Sequence, residues 1–116
     1  MRRDIQKKEF VSRENLAARS AALLQEIQAS LFDQALSFQK ENTHEVTGYE
    51  DFKTVLEDKR GFIKAWWCGE EACEDRVKEE TMATIRVIPL TKEKGSGRCV
   101  RCQKEGKELV YFARAY

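Results

Sequence analysis

The sequence predicts an α+β fold, in which a long N-terminal helix and a second helix pack on a small sheet of about three strands. Apolar residues recur at three- and four-residue steps between positions 13 and 41, which is the period of an amphipathic helix. Runs rich in β-branched and aromatic residues follow only after position 61. Four cysteines in two close pairs interrupt this second half. Helices followed by strands are typical of an α+β domain rather than of a wound parallel sheet.

Composition limits the class of protein. The 116 residues suit one domain with a modest core. Charged residues make up 35% of the chain and hydrophobic residues 41%, and no apolar run approaches the ~20 residues that a membrane span needs. The formal net charge of +1 provides no global electrostatic argument for nucleic-acid binding. One proline and six glycines leave little room for a disordered linker.

The first helix is predicted from Arg13 to about Glu41, a stretch without glycine or proline. Ser12 is its candidate N-cap, because a hydroxyl there can accept a bond from a free backbone N–H. The largely charged residues 1–11 are interpreted as a tail or as the end of a preceding segment. We expect the apolar stripe to pack on the sheet, with a partner-binding face as the alternative. The stripe consists of Leu24, Ile27, Leu31, Ala35 and Phe38.

A second helix is predicted from a capping box, in which Thr47 and Glu50 satisfy each other's free backbone N–H groups. Gly61 ends it as a left-handed cap. The polar connection 42–45 before it is expected to be a loop. His44, the only histidine, lies there, and we expect a solvated side chain rather than a metal ligand. The helix's apolar face consists of Tyr49, Phe52, Val55 and Leu56.

Three strands are predicted over residues 62–67, 83–88 and 109–116, from their β-branched and aromatic content. A helix from Glu70 to Thr81 separates the first two and has Cys73 in or near its first turn, where the helix dipole favours a thiolate. We expect Trp66 or Trp67 to cover the apolar side of the cysteine site. Stacking on nucleic-acid bases is the alternative for these two rings.

The cysteines are arranged as Cys68-x4-Cys73 and Cys99-x2-Cys102. Two pairs that are distant in sequence can each supply two thiolates to one tetrahedral zinc ion. Four thiolates leave no open position for water or substrate, so this zinc would be structural. Three alternatives stay open. Four unrelated buried thiols would rarely be spaced in such pairs. Two disulfides would suit an oxidising compartment, but no signal peptide is recognisable, and a redox pair at Cys99 and Cys102 lacks a βαβ context.

Basic residues cluster around the second cysteine pair and support an alternative function, that of a free-standing zinc-ribbon-like module that binds nucleic acid. Three glutamates dilute the cluster, which favours a solvated face of mixed charge. The basic residues are Lys92, Lys94, Arg98, Arg101, Lys104 and Lys107, and the glutamates are Glu93, Glu105 and Glu108.

Ordered motifs run from Gly61 to the last residue. They are Gly61-Phe-Ile-Lys-Ala-Trp-Trp-Cys-Gly69, Lys78-Glu-Glu-Thr-x-Ala-Thr-Ile-Arg-Val-Ile-Pro89, Cys99-Val-x-Cys102 and Phe112-Ala-Arg-Ala-Tyr116. Together they resemble the C-terminal zinc-binding domain of prolyl-tRNA synthetases, in the eukaryotic- and archaeal-like form of that class II enzyme. Residues 24–38 are similar to the family's long helix, and residues 2–4 to the last strand of its anticodon-binding domain.

The resemblance implies that residues 1–11 end an anticodon-binding domain and that residues 12–116 form the zinc-binding domain, with Cys68, Cys73, Cys99 and Cys102 as metal ligands. It implies a cytoplasmic homodimeric parent that joins proline to its tRNA, with ATP and magnesium bound in a catalytic domain that this chain lacks. We expect the fragment alone to be inactive. Its implied partners are the parent's catalytic and anticodon-binding domains and, through the parent, tRNA for proline, with no membrane.

Two positions at the end of the motifs need comment. Family members often have glycine after the last cysteine, where this chain has Gln103, and glycine best tolerates a positive φ. The resemblance also implies that Tyr116, with its free carboxylate, points towards the catalytic domain. The alternative for Tyr116 is that it only completes the last strand.

Overall fold

The computed structural model describes residues 1–93 and 95–114. They form two compact units, residues 1–40 and 41–116, and each is described here by itself. A short 3₁₀ turn at Arg13–Asn15 precedes the first helix. The other elements, in chain order, are α1 Leu16–Glu41, β1 Thr43–Glu45, α2 Tyr49–Asp58, β2 Phe62–Trp67, α3 Glu71–Thr81, β3 Ala83–Val87 and β4 Glu108–Arg114.

The first unit is the long helix with the segment before it. The helix occupies the predicted range, but Ser12 caps only through its backbone, because its carbonyl accepts from Asn15 N–H at 3.2 Å and its side chain makes no cap bond. No residue of α1 is buried. Three residues of the apolar stripe are exposed, with Leu24 69%, Leu31 50% and Phe38 69% accessible, and Ile27 is half-buried.

The second unit contains a mixed sheet of four strands in the order β1-β2-β4-β3. The prediction of three strands is therefore wrong by one. Strand β2 pairs antiparallel with β4, and β4 pairs antiparallel with β3, as the predicted strands allow. The additional strand is β1, which forms from the connection expected to be a loop and pairs parallel with β2, placing His44 opposite Ile63.

A close turn holds β1 beside β2. Phe62 N–H donates to Asn42 O at 2.8 Å. Gly61 has φ 89°, and a Cβ at this position would lie 2.4 Å from Asn42 O, so only glycine fits there. Gly61 has a positive φ, but the prediction that it caps the second helix is wrong, because α2 ends at Asp58 and its C-cap is Lys59.

Helix α2 begins differently from its prediction. Gly48 is the N-cap in an extended conformation, and no side chain caps the helix. The predicted capping box of Thr47 and Glu50 does not form, because Thr47 lies one residue too early to be the cap. The Gly48 carbonyl accepts the first backbone hydrogen bond of the helix, from Phe52 N–H at 3.1 Å.

The core of the second unit lies between its sheet and the two shorter helices. Helix α2 contributes Phe52 and Leu56, and α3 contributes Val77. Phe52 meets Phe112 of β4 edge to face, with ring centroids 5.2 Å apart. The sequence predicted that the long helix would pack on the sheet. The buried residues of this core all lie between positions 52 and 112, and its helical members belong to α2 and α3.

The remaining predicted elements agree with the structure. Strand β2 and helix α3 have the expected bounds to within one residue, and β3 ends at Val87, two residues before Pro89. Strand β4 is described as far as Arg114, so the end of the predicted last strand lies outside the described residues. Among the described helices, none combines the length and apolarity needed to cross a membrane.

Candidate metal centre

The four cysteines lie where three elements of the second unit meet. Cys68 directly follows the last residue of β2, and Cys73 is the third residue of α3. Between them the chain turns at Gly69, which has φ 81°. Cys99 and Cys102 lie on the loop that precedes β4. The end of a strand, the start of a helix and a loop therefore contribute to one site.

The four sulfur atoms form one compact cluster. All of them lie within 4.8 Å of one another, and the sulfurs of Cys73 and Cys99 are 3.7 Å apart. Two sulfurs that bind the same tetrahedral zinc ion, each at about 2.3 Å, lie roughly 3.8 Å apart. All four cysteines are free thiols, of which three are buried and Cys102 is half-buried. The cluster has the donors and the size to hold one metal ion.

Backbone hydrogen bonds shape the second cysteine loop. Cys99 N–H donates to Lys104 O at 2.8 Å, and Gln103 N–H donates to Cys99 O at 3.0 Å. Gln103 has φ 59°, the left-handed conformation expected at the position where the family often has glycine. Val100 N–H donates to Trp66 O at 2.9 Å, which attaches the loop to β2.

Burial and hydrogen bonding act in opposite directions on the thiols. Burial opposes ionisation of Cys99, but backbone N–H groups, those of Cys102 and Arg101 foremost, lower its pKa to about 7. Burial, followed by the neighbouring Cys99 sulfur, raises the pKa of Cys73. Burial likewise raises the pKa of Cys68. A bound cation would favour the thiolates, because thiols lose their protons when they bind metal.

The two tryptophans of β2 project from opposite faces of the strand. Trp67 packs against both the core and the cysteine cluster, and its indole N–H donates to Glu70 O at 3.3 Å. Trp66 lies against Gly97, where a Cβ would be 2.1 Å from the indole ring. The prediction that one tryptophan covers the cysteine site is confirmed for Trp67.

Acidic partners neutralise part of the basic cluster near the second loop. Lys104 forms an ion pair with Glu70 at 3.1 Å, and Arg101 forms one with Glu80 at 2.7 Å. Lys94 lies outside the described residues. These pairs favour the solvated mixed face over a continuous basic surface.

A network beside the loop has no signal in the sequence. The Tyr49 hydroxyl donates to one Glu80 oxygen at 2.8 Å, and Arg101 donates to the other at 2.7 Å. These bonds, that from Tyr49 first, lower the pKa of Glu80. Burial and then Glu80 raise the pKa of Tyr49 to about 12. The two bonds to Glu80 span 31 and 21 positions of the chain, so no local motif could reveal the network.

Two other predicted candidates lie away from the cluster or outside the described residues. His44, expected to be a solvated loop residue, is half-buried in β1, and it is not a member of the described thiol group. Tyr116 falls outside the described residues.

The redox alternative needs an accessible thiolate, but Cys99 is 0% exposed.

Sequence comparison identifies relatives over the whole chain. A family model described as "Prolyl-tRNA synthetase, C-terminal" matches residues 49–116. Proline--tRNA ligase 2 of Bacillus thuringiensis is 48% identical over 116 residues, which is all of this chain and 24% of the relative. Proline--tRNA ligase of Natranaerobius thermophilus is 44% identical over 118 residues, again all of this chain and 24% of the relative. The chain thus spans about a quarter of the length of these relatives.

A solved structure is similar in fold. The crystal structure of prolyl-tRNA synthetase from Cryptosporidium parvum, complexed with halofuginone and AMPPNP, matches 95% of this chain and 24% of its own. The TM-score is 0.83 at 27% sequence identity.

Proposed function

The chain belongs to the prolyl-tRNA synthetase C-terminal family, and we propose that it serves as the structural C-terminal domain of a proline–tRNA ligase. The observation that carries the proposal is its match, over all 116 residues, to ligases of which it covers 24%. ATP-dependent ligation of proline to tRNA would then take place in a catalytic domain outside this chain, where ATP and magnesium would bind.

Within this domain we assign one structural zinc ion to Cys68, Cys73, Cys99 and Cys102. The support is their shared cluster, in which all sulfurs lie within 4.8 Å of one another. Soft thiolate donors in a tetrahedral set suit zinc. A filled thiolate shell leaves no position for substrate, so the ion would act by joining the end of β2, the start of α3 and the loop before β4.

The proposed partners are the other domains of the same enzyme. Residues 1–11 would end the anticodon-binding domain, and residues 12–116 would form the zinc-binding domain packed on the catalytic domain. We propose further that the enzyme is a cytoplasmic homodimer that binds tRNA for proline.

The role of Tyr116 stays a prediction. If its carboxylate supports the catalytic domain, deleting Tyr116 or adding a short C-terminal tag lowers proline activation in the full enzyme, while zinc content and fold are retained. Wild-type activation kinetics in both variants would leave Tyr116 only a packing role.

The domain role is tested by proline-dependent exchange of pyrophosphate into ATP. We expect no exchange from the 116-residue chain, because the proposal places proline activation in a domain outside it. A full-length enzyme with Cys68→Ser should lose zinc and thermal stability, with exchange falling as the domain loosens. Exchange from the purified chain, persisting after contaminating host enzyme is removed, would contradict the proposal.

The nucleic-acid-binding alternative makes a different prediction for the isolated chain. A dedicated module should bind tRNA alone, with affinity that falls steeply as salt rises. The ion pairs of Lys104 with Glu70 and of Arg101 with Glu80 disfavour this alternative. A gel-shift titration at two salt concentrations separates the two functions.

A further inference from the structure

Arg101, which lies between the two cysteines of the second pair, contacts two helices. Its guanidinium donates to Glu80 of α3 at 2.7 Å. The guanidinium carbon lies 5.0 Å from the centroid of the Tyr49 ring at the start of α2, close enough for a cation–π interaction. Because Tyr49 donates to the same Glu80 carboxylate at 2.8 Å, one glutamate joins the cysteine loop to both helices.

Helix α3 contacts the second cysteine loop at two points. Near its start, the Cys73 sulfur lies 3.7 Å from the Cys99 sulfur. Near its end, Glu80 holds Arg101. Cys73 and Glu80 are seven residues apart, so they lie on the same face of the helix and about 10 Å apart along its axis. The loop is therefore fixed along two turns of α3 rather than at the metal site alone.

The ion pair of Arg101 with Glu80 is less exposed than the ion pair of Lys104 with Glu70, which involves the same loop. The side chains of Arg101 and Glu80 are 29% and 36% exposed, and the Arg101 Nε is buried without a hydrogen-bond partner among the described residues. The side chains of Lys104 and Glu70 are 64% and 52% exposed. Exposed pairs contribute little because solvent screens them, whereas a planar guanidinium held by a carboxylate and an aromatic ring is fixed in position.

We propose that Arg101 is a positioning residue for the metal site, holding Cys99 and Cys102 against α3 through Glu80 and Tyr49 so that the bound ion is released slowly. The inference rests on the zinc site proposed above. Residues outside the ligand set commonly tune metal affinity in this way, because they orient the ligands before the metal binds.

The test measures zinc release from the zinc-loaded chain into an excess of a chromophoric chelator. Arg101→Gln should release zinc about 10-fold faster and bind it correspondingly more weakly, as for other residues that orient ligands. Lys104→Gln is the matched control, because it removes the same charge from the same loop. Its release rate should stay within about two-fold of the wild type, since its ion pair is exposed.

Two further variants separate positioning from general stability. Glu80→Gln should accelerate release, and adding Arg101→Gln to it should have a smaller effect than in the wild type, because both changes weaken the contact between these two residues. Arg101→Lys keeps the charge but not the planar fork, so it should restore release only in part.

Three outcomes decide the inference. Wild-type zinc release from a folded Arg101→Gln chain would overturn it, even if the zinc-free chain became less stable. Should Arg101→Gln fail to fold, Glu80→Gln decides: faster release supports the inference and unchanged release overturns it. A wild-type chain that binds no zinc would instead refute the proposed zinc site, and the inference with it.

Discussion

The two units of the chain are stabilised by different interactions. Residues 41–116 enclose an apolar core and the cysteine cluster. Residues 1–40 have no buried residue in the described structure and are joined by ion pairs, in which Arg2 contacts Asp4 and Glu26 while Arg19 contacts Glu9 and Glu26. The second unit should therefore respond to loss of metal or of core volume, and the first to salt and pH.

Loss of the metal should have the largest effect, and it should be confined to the second unit. Cys99→Ser removes a buried ligand of the proposed zinc site, and the binding energy of a structural zinc, on the order of 10 kcal/mol, is largely folding energy. We expect the variant to lose zinc and the protection of β2 and β4 amides against hydrogen exchange, while helix α1 keeps its helical signal. Excess chelator added to the wild type should reproduce the effect. Retention of both zinc and amide protection would contradict this account.

Truncation of a core side chain should have the next largest effect. Phe112 is 0% exposed, and Phe112→Ala should lower the free energy of unfolding of the second unit by about 3–5 kcal/mol. Leu31→Ala, the matched change in the first unit, should alter stability by no more than about 0.5 kcal/mol, because Leu31 is 50% exposed. Urea titration of each variant measures both values. Equal losses would show that the apolar stripe of α1 is buried in solution.

Removal of the two ion pairs of Arg19 should have a small effect, confined to the first unit. Contacts with Glu9 and then Glu26 raise the pKa of Arg19. Arg19→Gln should slightly reduce amide protection in α1, and the reduction should disappear in high salt, which screens exposed pairs. A reduction that is independent of salt would point to lost packing instead.

The smallest effect should be a titration of the first unit in acid. The hydrogen bond from Arg2 lowers the pKa of Asp4 from 3.8 to about 2. Because the pKa is lower in the folded state, the contribution of Asp4 is complete above about pH 4 and is lost as the pH falls towards 2. The carboxyl chemical shift of Asp4, measured by NMR against pH, should show a titration midpoint of about 2. A midpoint near 3.8 would mean that the Arg2 contact does not persist in solution.

Local sequence signals predicted most of the second unit. The three strands β2, β3 and β4, the helix α3 and the cysteine grouping each have a signal within a few neighbouring residues, such as β-branched runs or paired cysteines. The positive φ of Gln103, 59°, was indicated by the family resemblance, because members of the family often have glycine at this position.

Features that depend on distant contacts were missed. Strand β1 has three polar residues and exists because it lies beside β2. The amphipathic pattern of α1 predicted a buried face, but no residue of α1 is buried. Periodicity alone does not show which surface, if any, a helix packs against. The helical residues of the core come from α2 and α3. The bonds from Tyr49 and Arg101 to Glu80 span 31 and 21 residues, beyond the reach of any local pattern.

X-ray absorption at the zinc edge, combined with native mass spectrometry, tests whether the cysteine cluster is one four-thiolate metal site. The account predicts one zinc ion per chain, bound by four sulfur atoms at about 2.3 Å. A chain without metal, a mass showing two disulfides, or nitrogen and oxygen atoms in place of any of the sulfur ligands would contradict it.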